Sequence, residues 1–148
     1  MSSNELNNLV RTGALKVEPA DQKEFDGLLN SGRTRLADAK KSNLALESQF
    51  DLAYNAAHAL SLAAMRWHGY RPEKRYIVFQ SLTHTLGLGP EVWRVLDKAH
   101  GIRNSVEYEG ALEVNKQMVV DLLKAAETVQ AAVEKLGPVR TTKSGRKQ

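Results

Sequence analysis

The sequence predicts an all-α fold, an up-and-down bundle of four main helices with one or two shorter helices. Apolar residues recur at helical spacing nearly throughout, no segment clearly alternates between apolar and polar residues, and prolines and glycines separate the helical stretches. The 148 residues are 42% hydrophobic and 26% charged, a composition that fits one domain with a buried core. We therefore assign residues 1–136 to a single domain with its core in 20–136.

Each predicted helix follows from its apolar row and from the residues that end it. The third helix is apolar almost all round, which is typical of a helix at the centre of a bundle. Proline opens the fourth and fifth helices, and Gly137-Pro138 ends the last one. The predicted helices span about 3–12, 21–41, 47–68, 72–86, 90 to at least 106, and 113–136.

The net charge of +4 comes from the C-terminal end of the chain. Residues 137–148 hold four basic residues and no acidic one, which leaves 17 basic and 17 acidic residues in the body. We interpret 137–148 as a disordered, solubilising tail, with salt-sensitive contact to phosphates as the alternative. Cysteine is absent, which excludes disulfides and thiolate chemistry. With no secretory signal and no apolar run of about 18 residues, we expect a cytoplasmic protein outside the membrane.

The most informative stretch lies late in the fifth predicted helix. Arg103 is at the edge of the apolar row, where a guanidinium needs a carboxylate, a phosphate or a partner chain to offset its desolvation. His100, Asn104 and Tyr108 form a separate row at spacings of four residues. A purely structural interpretation pairs Arg103 with Glu107 and lets Tyr108 close the end of the bundle.

This stretch and the order of helices around it resemble the HEPN superfamily over most of residues 20–136. The family motif is Arg, a polar residue, three to five further residues and then His. Here it corresponds to Arg103, Asn104 and then Tyr108, which stands where His is expected. The Tyr- and Ala-rich helix around 50–68 is similar to a helix of that family.

The resemblance implies a metal-independent ribonuclease that works as a dimer, with two motifs facing one cleft. It implies that Arg103 stabilises the negative charge that develops on the phosphorane, and that Asn104 orients Arg103 or binds phosphate. The third catalytic candidate, Tyr108, is a poor proton carrier because the ordinary pKa of tyrosine, about 10, lies far from neutral pH. His100, which shares the face of Asn104, is the local alternative.

A second basic stretch surrounds the turn after the third predicted helix. Its cations alternate with Trp67 and Tyr70, a combination that binds phosphates and stacks on unpaired bases. The alternative is a helix end whose dipole favours positive charge. The predicted nucleic-acid-binding residues are Arg66, His68, Arg71, Lys74 and Arg75.

No paired metal-ligand motif and no glycine-rich phosphate loop appears, so we expect neither a metal nor a cofactor. The sequence thus predicts an RNA- or nucleotide-facing site at Arg103 and Asn104 in a homodimeric protein of a toxin–antitoxin or defence type. Its ribonuclease activity is open because Tyr108 replaces the expected His. The alternative is a non-catalytic interaction subunit with a cognate partner protein such as a nucleotidyltransferase.

Overall fold

The computed structural model describes residues 4–41, 43–109 and 114–139, and the side chains of 105–109 lie outside this description. It confirms the all-α prediction, because helices make up nearly all of the regular structure. The elements are α1 (Asn4–Arg11), β1 (Leu15–Val17), α2 (Gln22–Ala39), α3 (Leu46–Trp67), β2 (Tyr70–Pro72), α4 (Ile77–Gln80), α5 (Leu82–Leu86), α6 (Pro90–Glu109) and α7 (Lys116–Glu134).

Helix α3 is the centre of the bundle, as its apolar composition predicted. It packs against α2 and α7 over most of its length and also contacts α4, α5 and α6. Phe50, Ala57 and Leu60 on this helix are at most 1% exposed. Each large apolar side chain buried in this way contributes roughly 1.5–3 kcal/mol to folding. Burial on several sides of α3 therefore holds the other helices in place.

Helix α2 begins at its predicted cap and runs through Gly32 without interruption. The side chain of Asp21 accepts a hydrogen bond of 2.8 Å from the Glu24 amide, which satisfies one of the free donors at the helix start. Gly32 is buried against α3, where an added Cβ would lie 2.6 Å from Leu60 Cδ2. Glycine at this position permits the close approach of the two helices.

We expect opposite effects from the same substitution at two glycines of α2. Gly32→Ala overpacks the contact with Leu60 and lowers the free energy of unfolding by about 1–2 kcal/mol. Gly27→Ala, whose Cβ would meet nothing within 4 Å, raises it by roughly 0.5–1 kcal/mol through helix propensity. Urea unfolding of both variants measures the difference. Equal stabilisation by both would contradict the close contact between α2 and α3.

Two short strands accompany the helices, which the apolar pattern of the sequence did not indicate. β1 and β2 form a two-stranded antiparallel sheet in which Lys16 pairs with Arg71, and the Glu73 amide extends it with a 2.9 Å bond to the Ala14 carbonyl. Gly69, at φ 89°, turns the chain out of α3 and into β2. This pairing over a long sequence separation takes Pro72 out of the predicted helix 72–86.

The remaining part of that predicted helix is two short helices, α4 and α5, which meet at Ser81. The packed body is also longer than the predicted core of 20–136. Leu6 and Leu15 are at most 2% exposed, and Val139 is 8% exposed, with its amide bonded to Gln22 Oε1 at 2.7 Å. The core therefore includes α1 and β1 and reaches beyond the predicted start of the tail.

Candidate functional site

A small polar cleft lies between α3 and α6, closed on one side by the segment between β2 and α4. It has a volume of about 240 Å³. We call it the polar cleft. Its lining residues are Tyr54, Asn55, Arg75, His100, Arg103 and Asn104.

A polar stripe on α3 faces this part of α6. Asp51, Asn55 and His58 recur at helical spacing on α3, and Asn55 Nδ2 donates a 2.9 Å bond to the Asp51 carbonyl. Asp51 and Asn55 were not predicted as site residues, because the helix is apolar almost all round. The spacing of the stripe was the signal that could have identified them.

Arg103 has an ion-pair partner in its own chain. Its Nε lies 3.1 Å from Asp51 Oδ1, and the two side chains are 34% and 46% exposed. Within the described side chains this carboxylate from α3, rather than one from α6 itself, offsets the charge; the side chain of Glu107 lies outside them. Arg103 nevertheless lines the polar cleft and stays open to solvent.

His100 is held between one buried partner and one exposed partner. Its Nδ1 is hydrogen-bonded to the Tyr54 hydroxyl at 3.0 Å, and its Nε2 lies 3.1 Å from Asn104 Nδ2. With the ring proton on Nδ1, the imidazole donates to the phenolic oxygen and accepts from the Asn104 amide. Tyr54 is only 3% exposed, whereas Asn104 is exposed. The Nε2 side of the ring is therefore the accessible side.

Arg75 completes the polar cleft from the opposite wall. Its NH2 group donates a 3.2 Å bond to Asn55 Oδ1, and its guanidinium carbon lies 5.7 Å from the centre of the Tyr54 ring. Since Arg75 is exposed and both Asn55 and Tyr54 are neutral, its charge remains available to an anion.

His58 lies close enough to Arg75 and His100 to interact with both electrostatically. Its ring packs edge-on against Phe79 at 5.9 Å, and its buried Nε2 has no hydrogen-bond partner within the described residues. Burial, and to a smaller extent electrostatic interaction with Arg75 and His100, lowers the pKa of His58 to about 4. His58 is therefore neutral over the physiological range.

Comparison with known proteins adds no relative. No protein-family model, curated protein or solved structure matches this chain. The HEPN resemblance thus remains a prediction, and the function of the polar cleft has to be inferred from its own side chains.

Two of the predicted nucleic-acid-binding arginines are instead part of an internal ion-pair cluster, formed by Arg66, Arg71, Glu18 and Glu24. Arg66 is 2% exposed and donates to Glu24 at 2.9 Å and to three main-chain carbonyls at 2.9, 3.2 and 2.7 Å. Arg71 bonds Glu18 and Glu24 at 2.7 Å. The donors of Arg66 are occupied inside the protein and Arg71 is likewise paired, so neither arginine lines an open phosphate site in the folded chain.

The pKa values of the same cluster follow from these bonds. The hydrogen bond from Arg71 holds the pKa of Glu18 below its ordinary value. Burial acts to raise the pKa of Glu24, but hydrogen bonds from Arg71 and Arg66 outweigh it and leave the pKa lowered. The two carboxylates in turn raise the pKa of Arg71. Glu18, Glu24 and Arg71 are therefore charged at neutral pH.

The other members of the predicted basic stretch are separated from one another. His68 Nε2 bonds the Thr85 carbonyl at 2.8 Å, and burial lowers the pKa of this histidine. Lys74 is exposed at the surface and does not line the polar cleft. Arg75 alone among the five lines it, together with the sequence-predicted His100, Arg103 and Asn104.

Tyr108 and the predicted basic tail lie at least partly outside the residues that the structure describes. The backbone of Tyr108 is in the last turn of α6, but its side chain is not described, and neither are residues 140–148 of the predicted tail. Within the described ranges, no three His, Cys, Asp or Glu side chains are placed to hold a metal ion. None of the described helices is long and apolar enough to span a membrane.

Proposed function

We propose that the polar cleft binds a phosphate group of RNA or of a nucleotide. The observation that supports this most directly is the convergence of Arg75 and Arg103 on one small cleft that also holds His100 and Asn104. Guanidinium groups bind phosphate through paired N–H donors, and amides add donors that are neutral. No carboxylate is among the described residues that line the polar cleft.

The ion pair with Asp51 is compatible with a phosphate ligand. Both side chains are substantially exposed, and pairs of this kind contribute only about 0–1 kcal/mol. Hydrogen bonds to charged groups contribute roughly 1.5–3 kcal/mol. A phosphate bonded to both arginines therefore contributes more free energy than the loss of the Arg103–Asp51 ion pair costs. We infer that Asp51 occupies Arg103 in the free protein and is displaced by the ligand.

The resemblance adds a biological role to this proposal. A HEPN-like protein with such a site fits a homodimeric component of a toxin–antitoxin or defence system, and RNA is then the ligand. Ribose and phosphate are shared by RNA and free nucleotides, so competition by a ribonucleoside monophosphate against a labelled RNA oligonucleotide separates the two.

The test is the affinity for a labelled single-stranded RNA at several salt concentrations. We expect Arg103→Ala to weaken binding about tenfold and to reduce the slope of log K against log salt by about 0.7. Lys74→Ala also removes one positive charge, at a position next to Arg75 in sequence but outside the polar cleft. Its affinity for RNA should stay within about twofold of that of the wild type. Asp51→Asn, which frees Arg103, should strengthen binding about two- to fivefold.

Three results would contradict the proposal. Equal losses in Arg103→Ala and Lys74→Ala would indicate attraction to the overall charge. Weaker binding in Asp51→Asn would mean that the carboxylate supports the site rather than competing with the ligand. Complete loss of binding in a chain ending at Val139 would assign it to the basic tail; the packed body is retained in that chain because it reaches Val139.

A further inference from the structure

We infer that His100 is the proton-transfer residue of the polar cleft and that Tyr54 is its positioning residue. This inference rests on the proposed RNA site and adds a reaction to it. The sequence motif puts Tyr108, a poor proton carrier, five residues after Arg103 where the family has its His, and it leaves His100 as the local alternative. The hydrogen bonds of the folded chain give the proton-transfer role to His100, three residues before Arg103.

Both ring nitrogens of His100 have defined partners, and the partners differ in exposure. The buried Tyr54 hydroxyl fixes Nδ1 at 3.0 Å, and the half-buried Tyr76 packs against the ring at 5.7 Å. A base oriented by a third group is the arrangement in which side chains accept protons efficiently. Because these contacts lie on the Nδ1 side and the ring face, they leave Nε2 directed to the exposed Asn104.

Asn104 occupies the position that a substrate hydroxyl would take. Its amide lies 3.1 Å from His100 Nε2, within hydrogen-bond reach, and its side chain is exposed. A 2′-hydroxyl that displaces this amide donates its own hydrogen bond to Nε2. Arg103, the next residue to Asn104, is then placed to bond the adjacent phosphate.

The step balances with these groups and water. Nε2 takes the proton of the 2′-hydroxyl, the 2′ oxygen forms a bond to phosphorus, and the bond from phosphorus to the 5′ oxygen breaks. The 5′ oxygen takes a proton from water, and the hydroxide formed takes the proton back from His100. The products are a 2′,3′-cyclic phosphate and a 5′-hydroxyl, and the arginines stabilise the charge that develops on the phosphate oxygens.

The experiment measures cleavage and binding of one labelled RNA, in EDTA, by the full chain. We expect the wild type to produce 2′,3′-cyclic phosphate ends and His100→Gln to lose at least about 100-fold in rate while it still binds RNA. Tyr54→Phe keeps the buried ring and removes the hydroxyl, so kcat should fall about tenfold with KM unchanged. His84→Gln, the same change on α5 outside the polar cleft, should cleave like the wild type.

The outcomes separate this inference from the proposed function. RNA that is bound through Arg103 but stays intact overturns the inference and leaves the phosphate site standing. Cleavage by His100→Gln at the wild-type rate overturns it as well, as does a Tyr54→Phe variant with unchanged kcat. RNA that does not bind at all overturns the proposed function first. Thermal unfolding of each variant identifies any that fails to fold, and a misfolded Tyr54→Phe leaves the decision to His100→Gln.

Discussion

Replacing Arg66 by methionine is expected to lower the free energy of unfolding by about 3 kcal/mol. Methionine keeps much of the apolar stem but removes the guanidinium, which is 2% exposed and bonded to Glu24 at 2.9 Å. Its loss leaves three main-chain carbonyls without their donors. Removing one partner of a buried charged group typically costs roughly 3–5 kcal/mol. The lower end applies here because Arg71 still pairs with both carboxylates.

The matched control is Arg75→Met, which removes the same group from a neighbouring position. Arg75 is exposed, so its loss should change stability by less than about 0.5 kcal/mol. Arg75→Met should instead weaken RNA binding, which is also the effect expected of Arg103→Ala. Urea unfolding and RNA titration of both variants give a crossed pattern. If Arg66→Met were as stable as the wild type, the ion-pair cluster would not hold the end of α3 to the segment before α2.

This contrast shows where sequence reasoning ends. The sequence presents Arg66, Arg71 and Arg75 as one basic stretch, because their order along the chain is all it displays. Their roles depend on Glu18 and Glu24. Glu18 is brought to the end of α3 by the pairing of β1 with β2, and Glu24 by the packing of α2 against α3. That pairing joins short strands far apart in sequence, and three-residue strands carry no periodic signal of their own.

The main helices could be predicted because each carries a long apolar row and clear end signals. The site was predicted in part for the same reason. His100, Arg103 and Asn104 lie within two turns of α6, so their proximity follows from helical geometry alone. Tyr54 and Asp51 lie on α3, and which face of α3 meets α6 depends on packing that the sequence does not display.

Acid is expected to destabilise this protein through His58 at pH values where Glu18 and Glu24 still keep their charge. Burial, and to a smaller extent electrostatic interaction with Arg75 and His100, lowers the pKa of His58 from 6.5 to about 4 in the folded state. The unfolded chain therefore binds a proton more readily, and stability falls as the pH drops from 6.5 towards 4. The expected loss from this group is about 2 kcal/mol by pH 5 and about 3 kcal/mol by pH 4.

The window above pH 4.5 separates this effect from the ion-pair cluster. The pKa values of Glu18 and Glu24 are lowered from 4.5, so the stability they provide is complete above that value and is lost only as the pH falls through their folded pKa. The lowered pKa of His68 acts in the same direction as that of His58. Urea unfolding of the wild type and His58→Gln at pH 7.5 and 5 isolates the contribution of His58. Equal losses in both proteins would contradict it.

Arg75 connects His58 to the polar cleft through its positive charge. This charge repels a proton on His58, and an anion bound at Arg75 and Arg103 reduces that repulsion. A bound phosphate should therefore raise the pKa of His58 and weaken the acid sensitivity. We expect the same saturating concentration of RNA oligonucleotide to stabilise the wild type more at pH 5 than at pH 7.5, and this difference should shrink in His58→Gln. If the difference in stabilisation between pH 5 and pH 7.5 were the same in both proteins, the ligand would bind away from Arg75 and the polar cleft.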